Sequence, residues 1–156
     1  VPGCGRGHEV VELALAGFEV TALDFAPAAI SALSSQLVDR GTAATLIQDS
    51  VLNYKPRNPF DAIYEQTCLC ALGPEHWTAY ESQLARWIKP GGTLFALFMQ
   101  TEKPDGPPFH CDIQKMKTVF GASRWEWPSQ TRRIDHPSGM YELAVTIQRK
   151  SQEGIQ

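Results

Sequence analysis

The stretch "VPGCGRGHEVVELALAGFEVTALDF", residues 1–25, decides how this chain folds. Gly3, Gly5 and Gly7 alternate with other residues in a tight turn. Directly after it, Val10, Leu13 and Ala14 fall at i, i+3 and i+4, the spacing of one helix face, and Gly17 is placed to end that helix. "FEVTALDF", residues 18–25, then reads as a strand of mostly apolar, partly β-branched residues, the composition of a buried parallel strand. A glycine turn that opens a helix normally sits at the carboxyl end of a central strand, where its backbone amides point at a ligand. No strand precedes this turn in the sequence.

Outward from that unit, helix and strand signals keep alternating. Pro27 suits the first turn of a helix that runs through Ile30, Leu33 and Leu37 to Gly41, and "ATLIQDS", residues 44–50, reads as the second strand. The loop "NYKPRNP" leads to a third strand, "FDAIYEQ", after which Pro74 opens a helix with Trp77, Tyr80, Leu84, Trp87 and Ile88 on one stripe. "KPGG", residues 89–92, ends it and hands the chain to a fourth strand, "TLFALFMQ". The loop "TEKPDGPPFH" and a short helix carrying Ile113, Met116 and Phe120 follow, then a weak strand around Trp125 and a clearer one, "ELAVTIQR". "PSQTRRIDHPSG" between these last two reads as a loop too short for a crossover helix, so they should pair antiparallel. The pattern predicts an α/β, Rossmann-like, doubly wound fold with a mostly parallel sheet and an antiparallel last strand. We expect residues 1–150 to form one domain and residues 151–156 a flexible tail.

Composition narrows the function. The 156 residues carry 14 Lys and Arg against 17 Asp and Glu, a net charge of -3, so no broad cationic field is present to hold nucleic acid or anionic lipid. No apolar run approaches the roughly 18 residues that cross a bilayer, and no export signal is evident, so a cytoplasmic protein and a monomer are expected. Cys4, Cys68, Cys70 and Cys111 lack the paired spacing of a zinc site and read as free thiols, and no metal is expected. Cys68 and Cys70 would share a face if that segment were extended.

The glycine turn separates two ligand classes. A dinucleotide fingerprint, GxGxxG, needs glycine at position 8, where this chain has His8. The pattern present is GxGxG, which resembles the first motif of class I methyltransferases that bind S-adenosylmethionine. On that reading Pro2, Gly3, Cys4, Gly5 and Gly7 form the loop against which the donor lies, because side chains at the glycines would block its approach. Cys4 reads as a small residue filling the gap under the turn. Asp24, at the end of the next strand, is placed to accept from both ribose hydroxyls, and Phe25 to pack on the adenine. Asp49 would take the adenine amino group, and the amide of Ser50 or Val51 a ring nitrogen.

A narrower resemblance spans nearly the whole chain. "VPGCGRGHEVVELALAGFEVTALDFAPAAI", "FDAIYEQTCLCAL", "LARWIKPGGTLFALF" and "GPPFHCDI" together are similar to the thiopurine S-methyltransferase family, which also contains thiol, halide and thiocyanate methyltransferases. The resemblance implies direct displacement by a small soft nucleophile at the donor's methyl group, with S-adenosylmethionine as cofactor and no catalytic triad. Such a reaction asks little acid or base work, because a thiol near its reference pKa of about 8.5 is already partly thiolate. The acceptor is expected near Tyr64, Glu65, Gln66, Thr67 and Cys68, with Tyr64 also beside the donor. Phe109 of the GPPF loop and "QTRRIDH" would form its walls, Arg132 or Arg133 steering an anion. An O- or N-methyltransferase remains an alternative and would want a general base, for which Glu65 and His110 are the candidates. A non-catalytic interaction module of the same fold is another. In the resembling family a strand precedes the glycine turn, so we expect the sequence to belong to a longer protein with about 40 or more further residues ahead of Val1.

Overall fold

The structure is a computed structural model that describes residues 1–135 and 138–151. His136, which ends the expected acceptor wall, and residues 152–156 of the expected tail lie outside the described residues. The chain divides into two compact units, Val1–Tyr54 and Lys55–Gln156.

In the first unit, residues 1–4 run parallel to strand β1 (Thr21–Asp24): the Leu23 amide donates to the Val1 carbonyl at 3.0 Å and the Cys4 amide to the Leu23 carbonyl at 3.0 Å. The chain then turns through Gly7, at φ 67°, into helix α1 (His8–Leu15). Strand β2 (Thr45–Gln48) pairs parallel with β1, and helix α2 (Pro27–Asp39) connects them, with proline at its first turn as expected. Cys4, Val10, Val11, Val20, Ala22, Leu33 and Leu37 form the core. The strands are shorter than their apolar runs because Phe18 is 63% exposed and only residues 21–24 find ladder partners in β2.

The second unit is a five-stranded sheet. Strand β3 (Phe60–Gln66) pairs parallel with β4 (Ile88–Gln100), whose other edge pairs antiparallel with β7 (Tyr141–Arg149). The short strands β5 (Trp125–Glu126) and β6 (Arg132–Asp135) both pair antiparallel with β7. Between β3 and β4 come helix α3 (Cys68–Ala71), a 3-10 turn at Pro74–His76 and helix α4 (Trp77–Trp87). Helix α5 (Ile113–Val119) follows β4. The predicted stripe is buried, Trp77, Tyr80, Leu84 and Trp87 on α4 and Ile88 at the start of β4. Phe98, Phe120 and Trp125 pack in sequence, each pair of centroids 5.7 Å apart. Glu81, fully buried on α4, accepts from Trp125 Nε1 at 2.5 Å and from the Arg124 guanidinium, which fastens the helix to β5.

Three expectations change. Residues 132–135 are a strand rather than loop, because β7 offers them a free edge. Cys68 and Cys70 lie on the helical turn α3 and so do not share a face. The KPGG residues fall inside the span of β4, where the ladder to β3 shifts register between the Phe60 and Ala62 pairings.

Candidate active site

The predicted donor residues lie in the first unit, except Tyr64, which lies in the second. Gly3, Gly5 and Gly7 all have positive φ, 58°, 49° and 67°, which glycine alone adopts without strain. Their positions differ in purpose. A Cβ on Gly7 would sit 2.4 Å from Leu33 Cδ1, so this glycine lets α2 close on the turn; a Cβ on Gly5 would meet nothing within 4 Å. Gly5 therefore keeps open space above the loop, the kind of cradle an aminoacyl nucleoside needs. Asp24 is 8% exposed, and its carboxylate accepts from the Gly5 amide at 2.8 Å and the Ala26 amide at 2.9 Å. Both oxygens are thus fixed by backbone, and each keeps lone-pair capacity for a further donor.

Phe25, next to it, is 77% exposed, a free ring beside the carboxylate. Pro2 is buried against β1, and Cys4 is 6% exposed within the core. Burial, with the Asp24 charge second, pushes the Cys4 thiol up to about 11, so it is no nucleophile at neutral pH. Asp49 and Ser50 are half-buried, but the Ser50 amide donates to Asp49 Oδ1 at 2.7 Å and is committed there. Of the two amides expected to meet the adenine ring, that leaves Val51, whose residue is 8% exposed.

The predicted acceptor residues lie in the second unit. Along β3, Ile63 and Glu65 are buried while Tyr64 and Gln66 project from the other face. Tyr64 donates its hydroxyl to Gln66 Oε1 at 2.8 Å, and Gln66 Nε2 donates to Glu142 Oε2 at 2.8 Å, a polar row across the sheet. Thr67 has φ 62°, unusual for a β-branched residue, and reverses the chain from β3 into α3. Glu65, 1% exposed, caps α3 by accepting from the Leu69 amide at 2.7 Å, and its Oε2 is buried without a hydrogen-bond partner. Burial outweighs that amide and lifts its carboxyl from the usual range to about 7. Cys68 is buried, and Cys70, with Cys111, has its thiol pushed up chiefly by burial, Cys70 to about 12.

Phe109 of the GPPF loop is half-buried and donates its amide to the Cys70 carbonyl at 2.6 Å, so that loop and α3 are brought together. Arg133 is not brought to this cluster as a free cation. Arg132 and Arg133 are both exposed on β6; Arg133 donates to Asp135 Oδ1 at 3.1 Å and stacks 3.9 Å over the Tyr141 ring. Sequence reading missed Glu142, 2% exposed at the start of β7. A lone acid heading an otherwise apolar strand was its only signal. His110, a candidate base on the sequence, accepts from two backbone amides at Nδ1. Among the described residues, no group of three or more His, Cys, Asp or Glu side chains is placed to hold a metal ion, and no helix is long and apolar enough to cross a membrane.

Comparison with known proteins agrees with this architecture. The sequence profile of the Thiopurine S-methyltransferase (TPMT) family matches residues 1–151. Thiocyanate methyltransferase 1 of Arabidopsis thaliana is 30% identical over 123 residues, covering 77% of this chain and 54% of that protein. Thiopurine S-methyltransferase of Legionella pneumophila (strain Corby) is 26% identical, covering 94% of this chain and 75% of that protein. The chain thus spans about half the length of the plant relatives it matches. A SAM-dependent methyltransferase from Methanosarcina mazei superposes with a TM-score of 0.82 at 17% identity over 97% of this chain and 91% of its own. The N-methyltransferase NodS from Bradyrhizobium japonicum, solved with S-adenosyl-L-homocysteine, gives 0.81 at 15% identity over 96% and 76%. The fold is the Rossmann-like α/β fold of these enzymes, and the chain belongs to the thiopurine S-methyltransferase family.

Proposed function

We propose that this chain binds S-adenosylmethionine and transfers its methyl group to a small soft nucleophile, a thiol or thiolate-like anion, by direct displacement. The observation that carries the reading is the donor cradle: open space above Gly5, and a buried Asp24 whose two oxygens are held by the Gly5 and Ala26 amides. When bound, the sulfonium donor supplies an activated methyl group. Asp24 would hold the ribose, Phe25 would cover the adenine, and Asp49 with the Val51 amide would meet its edge. Tyr64, Gln66, Thr67 and Phe109 would line the acceptor.

The acceptor class follows from what the cluster lacks. Methyl transfer to oxygen or nitrogen wants a base within hydrogen-bond reach of the acceptor. Of the two candidates from the sequence, His110 gives Nδ1 to the Thr101 and Glu102 amides, and Glu65 gives one oxygen to the Leu69 amide while its other is closed off from solvent. A thiolate or thiocyanate needs no such base, and positioning in a water-poor site can supply the acceleration.

Calorimetry with S-adenosylhomocysteine, followed by methyl transfer to a panel of a thiol, thiocyanate, iodide, a phenol and an amine, tests the reading. The expected result is measurable donor-product binding and methylation of sulfur or halide in preference to the phenol and amine. Methylation of the phenol or amine alone, or no binding of S-adenosylhomocysteine, would overturn it.

A further inference from the structure

The loop between β4 and α5, residues 101–112, carries the GPPF sequence, and the His110 side chain ties its returning end to its outgoing end. His110 Nδ1 accepts from the Thr101 amide at 3.1 Å and from the Glu102 amide at 3.1 Å. Around this joint the backbone is already cross-tied: the Cys111 amide donates to the Met99 carbonyl at 2.9 Å, and Gln100 Nε2 donates to the Cys111 carbonyl at 2.8 Å. The residue immediately before His110 is Phe109, held to α3 through the Cys70 carbonyl. His110, with Gln100, therefore joins the outgoing and returning ends of the loop, and of the two it is the one next to Phe109 where that residue meets α3.

Two features show that this joint holds a conformation the backbone would not keep by itself. Glu102 has φ 56°, a left-handed conformation that a non-glycine residue adopts only when its surroundings impose it. Its amide is one of the two that His110 receives. In addition, Nδ1 accepts a hydrogen bond only while it carries no proton, so the two donated bonds put the ring proton on Nε2. A second proton, on Nδ1, would turn the acceptor into a donor facing two amides.

We propose that His110 is a positioning residue: through an unprotonated Nδ1 it holds the loop that seats Phe109 beside α3, so that acceptor binding weakens as the imidazole becomes doubly protonated. The inference rests on the reading of Phe109 as an acceptor wall. The charged and titratable groups linked to this joint are few. Glu102 and Lys103 leave it on the same loop, and Cys111 and Asp112 follow it into α5. From β7, Tyr141 donates its hydroxyl to Glu102 Oε1 at 3.4 Å, and Arg133 of β6 stacks on that ring. From α3, the Cys70 thiol stays neutral, raised to about 12 by burial.

Two variants separate position from charge. His110→Asn keeps an acceptor atom near the place of Nδ1 without a titrating ring, and His110→Ala removes it. In the unliganded chain, nitrogen NMR should show the ring as the Nε2–H tautomer. The Thr101 and Glu102 amides should be protected from exchange at pH 8 and lose that protection together as the ring titrates. In His110→Asn their protection should persist unchanged to pH 5. In methyl transfer, the acceptor KM of the wild type should rise by roughly tenfold across the same pH interval while the donor KM stays flat. His110→Asn should lack that rise, and His110→Ala should show the raised KM at every pH. An Nδ1–H tautomer, or amides whose protection ignores the ring's titration, overturns the inference. So does an acceptor KM that is the same in all three proteins while the chain is active. If no acceptor is methylated at all, the proposed function falls, and the NMR result still decides the role of His110.

Discussion

Gly5 and Gly7 stand two positions apart on one turn, share a left-handed backbone, and answer to different forces. At Gly7 a methyl group would overlap Leu33 Cδ1 at 2.4 Å, and Leu33 is fully buried, so the neighbour has nowhere to move. Gly7→Ala should cost the left-handed strain of about 1–2 kcal/mol plus this overlap, seen as a clear fall in the denaturation midpoint. Gly5→Ala pays only the strain, because its methyl group would meet nothing within 4 Å. It should instead weaken S-adenosylhomocysteine binding by more than about tenfold in calorimetry, since on the proposed function the methyl group enters the donor's space. Equal effects of the two substitutions on both measurements would remove the distinction between a packing glycine and a cradle glycine. Cys4, immediately before Gly5, is settled by burial: a thiol raised to about 11 within the core is a spacer.

At the scale of elements, the corner from β3 into α3 concentrates the unusual chemistry. Glu65 ends the buried face of β3 and caps a four-residue helix with one oxygen, while Thr67 turns the chain at positive φ. A carboxyl held near 7 when folded, against 4.5 as its ordinary value, is bound to its proton more tightly in the folded state. Its contribution to stability is therefore greatest below about pH 4.5 and is lost as pH rises through about 7. Glu65→Gln keeps an oxygen for the Leu69 amide and carries no charge. It should raise stability by up to about 3 kcal/mol at pH 8 and by little at pH 5, in urea titrations at the two pH values. A pH-independent difference would show that the corner does not titrate. Elements here were legible in proportion to their length. β3 was read with its observed bounds, and α1, α2, α4 and α5 within a residue or two at most ends, because each repeats an apolar pattern over several positions. α3 has four residues, too few for a helical period, and exists because Glu65 caps it. β6 reads "RRID", with no apolar alternation, and is a strand because β7 supplies a partner edge.

Across the whole molecule, the residues read as donor-binding and those read as acceptor-binding differ in how far they lie apart in sequence. Pro2, the glycines, Asp24 and Asp49 fall within the first 54 residues, where a turn, a helix and two strands succeed one another locally, so motif spacing suffices to propose them. Of the residues read as acceptor-binding, Gln66 reaches Glu142 across 76 positions, whereas Arg133 pairs locally, with Asp135 and Tyr141. No local pattern encodes the pairing of Gln66 with Glu142, which is why Glu142 went unnoticed. The donor half therefore yields the sharper test on the intact chain. A ligand that binds only the folded state at 100 times its Kd adds about 2.7 kcal/mol. At roughly 2–4 °C per kcal/mol for a chain of this size, S-adenosylhomocysteine should raise Tm by about 5–11 °C. A small thiol alone should leave Tm where it was. Asp24→Asn keeps one oxygen for the surrounding amides and gives up the charge and the second acceptor, so the shift produced by S-adenosylhomocysteine should shrink while Tm without ligand changes less. An undiminished shift in Asp24→Asn, followed by circular dichroism on heating, would mean that the buried acid serves the loop backbone and not the ribose.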